Sequence, residues 1–461
     1  MSDKTPEYIA AVPSDVWLEV FKWATIVPGL MDIDVPNPFD YPGTTSPIDE
    51  PRQWLKEELQ GSLTTRLSLV LVCKGWREPA MSVLYRCVVV RTRKAAESLS
   101  RVLTTSRMVA EESGGRGIGA HTRHLVVGLT TSLDGMVPIV RHLPNLQIAT
   151  ILGLDAYVVK MRTDVRPEYY WDRDYIPFIK NPFTRALAET CGPSLRRLHV
   201  GSFPDKEDAN FFLSSFPRLQ TLITGDSSLN FCGIAHPPSL SFITITEKDP
   251  AYDDEDDEDD EFLHVRRAPF NPPTGSESFD NEVFPHVRSA LFNPPRQGAA
   301  IDYSARFLAV QGKYLTTVFV NLKVYEGNSF ALKKSEILPA IIRHCPNLNC
   351  VVLLYDELFY PSALRHARRI PHLAIHFLNP TQTRGINIID DLVTGVMGLP
   401  VMPARTVRFL NKELPRLLLE PRNAATRTKL ENFLAIALRT GLQVQGHDGA
   451  PLVPFEPTSA S

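Results

Sequence analysis

The chain has 461 residues, 43% of them hydrophobic and 22% charged, with a formal net charge of −3. That apolar content excludes a disordered polymer, and the length suits two to four domains of roughly 150 residues each. Nine consecutive acidic residues, Asp253 to Glu261, hold much of the negative charge; without them the rest is +6 (−3 less −9), too mild for a nucleic-acid footprint.

Proline outnumbers glycine, 38 to 25, which predicts many short elements joined by stiff turns. The first residues, Met1 to Glu7, lack the basic and apolar blocks of a signal peptide. No apolar run approaches the ~20 residues that span a bilayer. The cysteines (Cys73, Cys87, Cys191, Cys232, Cys345, Cys350) form no C-x-x-C pair, which predicts reduced, mostly buried thiols. The expectation is an intracellular protein, in cytoplasm and/or nucleus, with neither membrane nor nucleic acid as partner.

Pro13 suits the first position of a helix, and Asp15 and Glu19 favour its N-terminal end. Val16, Val20 and Ala24, flanked by Trp17, Phe21 and Trp23, form a wide apolar stripe at helical spacing. Pro28-Gly29 should end that helix. Prolines and glycines then recur through Pro51, so residues 28–64 read as a proline-rich insertion. Its apolar members Met31, Ile33, Val35, Phe39 and Tyr41 suggest that it lies on the surface of something. A second helix is predicted from Thr65, with Leu69, Val72, Cys73 and Trp76 on one face. Ala80, Val83 and Leu84 continue it beyond Pro79, where a kink or restart is expected. Tyr85 to Arg91 is β-branched and reads as a strand.

Taken together, Pro13-Ser14-Asp15-Val16 with Leu18 and Phe21, then Leu69-x-x-Val72-Cys73-Lys74-x-Trp76-Arg77, resembles the F-box family motif. Two departures stand out. Val12 occupies a position where leucine is usual, and the 60 residues from Val12 to Val72 exceed the compact motif because of the insertion. The resemblance implies a three-helix module over residues 11–90 that docks on a Skp-type adaptor and, through it, a cullin of a ubiquitin ligase. By the same resemblance Pro13, Asp15, Val16, Leu18, Phe21, Leu69, Val72, Cys73 and Trp76 bind that adaptor or fill the module's own core. The apolar pattern alone would favour two plain core helices; the joint occurrence of P-x-D, V-C-K-x-W and an N-terminal position favours the F-box resemblance.

Beyond residue 90 a signature of Pro-x-Leu followed by alternating apolar residues recurs. It stands as Leu143-Pro144-Asn145-Leu146, Gly192-Pro193-Ser194-Leu195, Phe216-Pro217-Arg218-Leu219, Pro238-Ser239-Leu240, Phe284-Pro285-His286-Val287, Cys345-Pro346-Asn347-Leu348 and Pro371-His372-Leu373. His124-Leu125 and Tyr314-Leu315 look like degenerate copies. Leu125 to Leu146 is 21 residues, Leu195 to Leu219 is 24, Leu219 to Leu240 is 21 and Leu348 to Leu373 is 25. These spacings fall in the leucine-rich-repeat window of roughly 20–29. Proline is expected at the first strand position, where no ladder donor is needed. Helical faces precede several copies, the clearest being Leu338, Ile341, Ile342 and Cys345 after a Ser335 cap. Repetition of helix, proline and strand would build a parallel solenoid.

Residues 91–405 thus read as a divergent array interrupted by an aromatic insertion (Tyr157, Tyr169, Tyr170, Trp171, Tyr175, Phe178, Phe183) and a disordered acidic loop at 252–262. Residues 406–441 read as a C-terminal helical cap, with Leu430, Phe433, Leu434, Ala437 and Leu438 on one face, and 442–461 as a tail. Gly115-Arg116-Gly117-Ile118-Gly119-Ala120 matches G-x-G-x-x-A. A helix precedes it and a strand follows, the reverse of a dinucleotide site, so it reads as a flexible loop. His121-Thr122-Arg123-His124 has no carboxylate at helical spacing and does not suit a metal. No catalytic signature is present.

The fold class expected is α/β: an N-terminal three-helix F-box-like module followed by an irregular leucine-rich-repeat solenoid. The expected role is non-catalytic and needs no cofactor: the substrate-recognition subunit of a Skp–cullin–F-box ligase, whose repeats recruit an unidentified protein target. The alternative is a leucine-rich-repeat interaction scaffold whose N-terminal helices merely cap the array.

Overall fold

A computed structural model describes residues 12–27, 30–35, 37–40, 58–128, 134–151, 182–200, 211–224 without 212, 239–246, 284–293 without 285, 302–322, 338–355 without 339, 370–377, 405–411 and 424–452. The acidic run, Cys232, Ser335 and the aromatic insertion, apart from Phe183, lie outside these residues. No helix among them is long and apolar enough to cross a membrane. Contacts divide the chain into two units, Met1–Leu229 with Ile234–Thr244, and Asn230–Gly233 with Ile245–Ser461.

The first unit opens with helices α1 (Ser14–Ala24), α2 (Glu58–Val72) and α3 (Lys74–Leu84). Pro13 is the N-cap of α1 and not its first residue. Its ψ of 147° is extended, and its carbonyl accepts the first helical bonds, from the Val16 and Trp17 amides. The helix ends at Thr25, before Pro28-Gly29, with the Thr25 hydroxyl donating to the Phe21 carbonyl. Helix α2 begins at Glu58, so the last residues of the 28–64 stretch are helical. The expected break at Pro79 is displaced. Cys73 turns extended (φ −160°, ψ 167°) and separates α2 from α3, whereas α3 runs through Pro79. A proline there costs α3 one internal bond but does not end it, because α3 is anchored by tertiary packing on both sides of Pro79, at Trp76 and at Ala80 and Val83.

Six strands follow in the first unit: β1 (Cys87–Val90), β2 (His124–Val127), β3 (Ile148–Ile151), β4 (Arg197–Val200), β5 (Thr221–Thr224) and β6 (Phe242–Thr246). Each is parallel to the one before it, in sequence order. Helices α4 (Arg93–Ser113), α5 (Val137–Val140) and α6 (Pro182–Cys191) occupy the crossovers. Thr92 caps α4 by accepting from the Ala95 amide, and Gly114 ends it at φ +67°. Crossovers between parallel strands are right-handed in nearly all proteins, which puts these helices on one side of the sheet.

The second unit repeats the scheme with β7 (Ser289–Asn293), β8 (Thr317–Leu322), β9 (Cys350–Tyr355), β10 (His372–Phe377), β11 (Thr406–Phe409) and β12 (Gln443–Gln445), again parallel and in order. Helices α7 (Asp302–Gln311) and α8 (Ala424–Thr440) precede β8 and β12. The array therefore runs on past residue 405: β11 lies inside the stretch read as helical cap, and β12 inside the tail. On α8, Leu430, Phe433, Leu434 and Ala437 are buried but Leu438 is 82% exposed. At 100° per residue Leu438 stands roughly 90° from the centre of that stripe.

Strand register corrects the alignment of the repeats. The prolines do not begin strands. Pro144, Pro193, Pro217 and Pro346 stand four residues before the strands at Ile148, Arg197, Thr221 and Cys350, in the turn that leaves the helical segment. The signature leucines Leu146, Leu195, Leu219, Leu240, Leu315 and Leu348 all sit two before their strands and are buried. Pairing of Cys350 with His372 makes Ile370 the partner of Leu348, so Pro371-His372-Leu373 is read three residues out of register. Thr122, not Leu125, holds the corresponding place before β2.

Two contacts explain why that turn keeps its residue types. The residue three before the strand reaches back to the preceding repeat. Asn145 and Asn347 donate to the Ala120 and Lys313 carbonyls, and Ser194 and Ser239 to those of Leu146 and Leu219. Five residues before their strands, Gly119, Gly192 and Gly312 admit the next repeat's backbone. A Cβ on any of them would lie within 2.6 Å of the carbonyl oxygen of His142, Ser215 or His344 respectively. Gly119 is buried within a turn of 3-10 helix, Ile118–His121, so this part of the glycine-rich stretch, read as a flexible loop, is a packing device. Gly312→Ala is expected to lower stability by about 2 kcal/mol through overpacking, read as a fall in the urea midpoint.

Candidate functional site

The nine residues singled out from the sequence all belong to the three N-terminal helices or their joints. Phe21 is 1% exposed and clusters with Ala80 and Val83 of α3. Trp17, Leu18, Leu69, Val70 and Trp76 pack around that cluster. The rings of Trp17 and Trp76 lie 4.7 Å apart, those of Phe21 and Trp76 4.9 Å, and those of Trp17 and Phe21 5.9 Å. These three aromatic rings, drawn from the two halves of the motif, form the centre of the helical module.

The remaining residues point away from it. Val16 is 47% exposed and Val72 56% exposed, and Pro13 and Asp15 are exposed as well. Neighbours outside those nine join them: Val20 and Trp23 of the apolar stripe on α1, and Leu67 and Leu71 on α2. Val16, Val20 and Trp23 follow i, i+4, i+7, a second apolar stripe beside the one occupied by Trp17 and Phe21. A signal was available, since a stripe wide enough to span Val16, Trp17, Val20, Phe21 and Trp23 exceeds what one core contact covers. Cys73 is half-buried at the joint between α2 and α3.

The segment leaving α1 ties this module to the sheet. The Thr25 carbonyl accepts from Ser62 Oγ (2.7 Å) and, at 3.4 Å, from Arg66 of α2. Val27, Leu30 and Leu59 pack with Cys87 of β1 and Val126 of β2. Residues 30–35 then cross successive strands as a strap. His124 Nδ1 stands 2.8 Å from the Leu30 carbonyl, Arg197 donates to the Asp32 carbonyl (2.8 Å), Thr221 Oγ1 to that of Ile33 (2.7 Å), and Ser241 Oγ to Asp34 Oδ1 (3.4 Å). The expectation that Met31, Ile33, Val35, Phe39 and Tyr41 lie on a surface holds for Val35, which is buried, and for Met31, Ile33 and Phe39, which are half-buried; Tyr41 lies outside the described residues.

Register places His124, Thr150, Arg197, His199 and Thr221 on the strand face that carries the strap. The Leu30 carbonyl can only accept, which assigns the proton to His124 Nδ1 and lets Nε2 accept from Thr150 Oγ1 at 3.2 Å. Burial, reinforced by the Arg197 charge, pulls His124 down from 6.5 to about 3, and the same causes pull His199 to about 4. Burial also lowers Arg197 to about 10 against the opposing pull of Asp32 and Asp34, so it stays charged at neutral pH.

For a histidine depressed in the folded state, the unfolded chain takes up the proton first. The stability conferred by the neutral ring is therefore complete above pH ~6.5 and is lost as pH falls toward about 3. His124 alone should cost about 1.4 kcal/mol per pH unit below 6. Urea midpoints recorded from pH 7 to 5 should fall, and His124→Gln should flatten that slope.

Elsewhere, burial pushes Cys87 up to about 11 and Cys191 and Cys345 up to about 12, which makes them inert thiols. Among the described residues no group of three or more His, Cys, Asp or Glu side chains could hold a metal ion.

No family model matches the chain, and no curated protein matches it. Among solved structures, a chain of the yeast Rad7 and Elc1 complex aligns with a TM-score of 0.33 at 10% identity, over 87% of this chain and 97% of that one.

Proposed function

We propose that the chain is an F-box-type substrate receptor, the recognition subunit of a Skp–cullin–F-box ubiquitin ligase, with no catalytic group of its own. The observation that carries this reading is the division of apolar side chains on the helical module. The aromatic members of the motif close a core, while Val16, Val20, Trp23, Leu71 and Val72 remain in water on the same helices. An apolar surface of this kind on otherwise packed helices is typical of a docking face. The Skp-type adaptor would cover it, and a cullin would be reached through the adaptor. The leucine-rich-repeat array would hold the target, and the chemistry would be proximity: binding energy fixes target lysines near a charged conjugating enzyme.

Support for a plain leucine-rich-repeat scaffold comes from the packing of Val27, Leu30 and Leu59 on β1 and β2, which is what a capping module would also do. One measurement separates the two. The full chain, mixed with a purified Skp-type adaptor, should form a complex that survives gel filtration. If the two elute separately, the receptor reading is lost and the scaffold stands.

A further inference from the structure

The strap crosses the first unit's strands at close to one residue per strand, from Leu30 over β2 to Asp34 beside the start of β6. Its partners are 94 to 207 residues away in sequence. Three of its four polar contacts are made through its own backbone carbonyls, so the donors on the strands read its path and not its side chains. All three of those donors, His124, Arg197 and Thr221, are buried, and the last two would be poorly satisfied by each other. Arg197 carries a charge into the sheet face, and Thr221 is fully buried. Burying a guanidinium costs several kcal/mol unless it is hydrogen-bonded and paired. Here the Asp32 carbonyl accepts from it while the Asp32 and Asp34 carboxylates stand near enough to favour its charge.

The upstream end of the strap is equally committed. It leaves α1 at Thr25, whose carbonyl is held by α2, and passes through the Val27–Leu30–Leu59 contact on β1 and β2. Without the strap, the three helices would be joined to the sheet only near its first two strands, through the α3–β1 connection from Leu84 to Cys87 and the packing of Leu59 on Cys87 and Val126. Attachment at one edge of the sheet leaves the helices able to pivot about that edge; the strap adds anchors further along, on β4, on β5 and beside β6, and so restricts the pivot.

We infer that residues 30–35 are a brace that sets the orientation of the adaptor-docking helices relative to the strands, with Arg197 and Thr221 as the positioning residues on the sheet. The inference rests on the receptor reading for its purpose, since a ligase must hold its target at a fixed distance from the conjugating enzyme. It also has a consequence of its own. The face of β2, β4 and β5 that carries the strap is filled by the chain itself, so a target is captured elsewhere on the molecule.

The test uses the full chain with spin labels on native Cys73, at the joint of the helical module, and on an introduced Arg218→Cys in the exposed turn before β5. Arg197→Met and Thr221→Val remove both donors while keeping side-chain volume. The parent should give a single narrow distance distribution. The double variant should at least double its width while its affinity for a Skp-type adaptor stays within twofold. In a reconstituted ligase, self-ubiquitination should spread from a few lysines to many, which simple loss of stability would not produce. An unchanged distance distribution overturns the brace, as does a self-ubiquitination pattern identical to the parent's. If the parent chain fails to bind the adaptor, the receptor reading falls, and the distance measurement still decides whether the strap holds the module.

Discussion

Replacing Val16 and Val72 together by aspartate is expected to weaken adaptor binding by at least a hundredfold, about 2.7 kcal/mol, without moving the thermal transition of the free chain. Both residues are about half exposed, so a carboxylate at either site is hydrated in the unbound protein. On docking it would be stripped of water against an apolar surface, which is costly. Isothermal titration with the purified adaptor measures the loss, and far-UV circular dichroism verifies that helicity is kept. Retained affinity would mean that these side chains are not at the interface. Single substitutions at Val20 or Trp23 should act in the same direction.

Trp76→Ala should have an equally large effect by a different route. Its ring contacts both Trp17 and Phe21, so truncation opens the centre of the cluster. A loss of about 3 kcal/mol is expected from the cavity and the lost ring contacts. The module should then lose protection across residues 14–24 and 58–84 in hydrogen exchange, and adaptor binding should fail because its surface is no longer formed. Trp76→Phe separates packing from polarity. The indole Nε1 is buried without a hydrogen-bond partner among the described residues, so phenylalanine gives up area but no hydrogen bond. It should keep most of the stability. Loss of binding in Trp76→Ala with full retention of exchange protection would place the ring on the interface and contradict the core assignment.

The contrast between these variants shows where the sequence was informative about the candidate site. The motif residues were legible because they combine unusual types at fixed spacing, and they do converge on three adjoining helices. Their division into core and surface was not legible. Val16 and Trp17 are neighbours with the same polarity, and only the position of α3 decides that Trp17 is covered and Val16 is not. The break at Cys73 was hidden for a similar reason. Local propensity pointed to Pro79, but α3 keeps its proline within a helix anchored on Phe21, Ala80 and Val83.

The repeats were legible through their prolines and leucines, and six of the signature leucines share one place before their strands. Register was not, because a strand of four to six residues can slide three positions against a short motif without violating its apolar pattern. Pro371-His372-Leu373 did so, and only hydrogen-bonded pairing with Cys350 revealed it. The polar residue after the proline was visible in every proline-bearing copy as Asn, Ser, Arg or His. That Asn and Ser there join consecutive repeats required knowing which carbonyls lie opposite.

By itself, then, the sequence determined the kinds of element and their order: a motif-bearing helical start, then parallel strands introduced by helical segments and proline turns. Those properties depend on local spacing and backbone preference, which a linear string carries in full. Tertiary structure alone decided which apolar side chains stay in water on the N-terminal helices, and that residues 30–35 are held by His124, Arg197, Thr221 and Ser241. Both outcomes depend on what lies across a contact between residues up to 207 positions apart, and no local pattern records that.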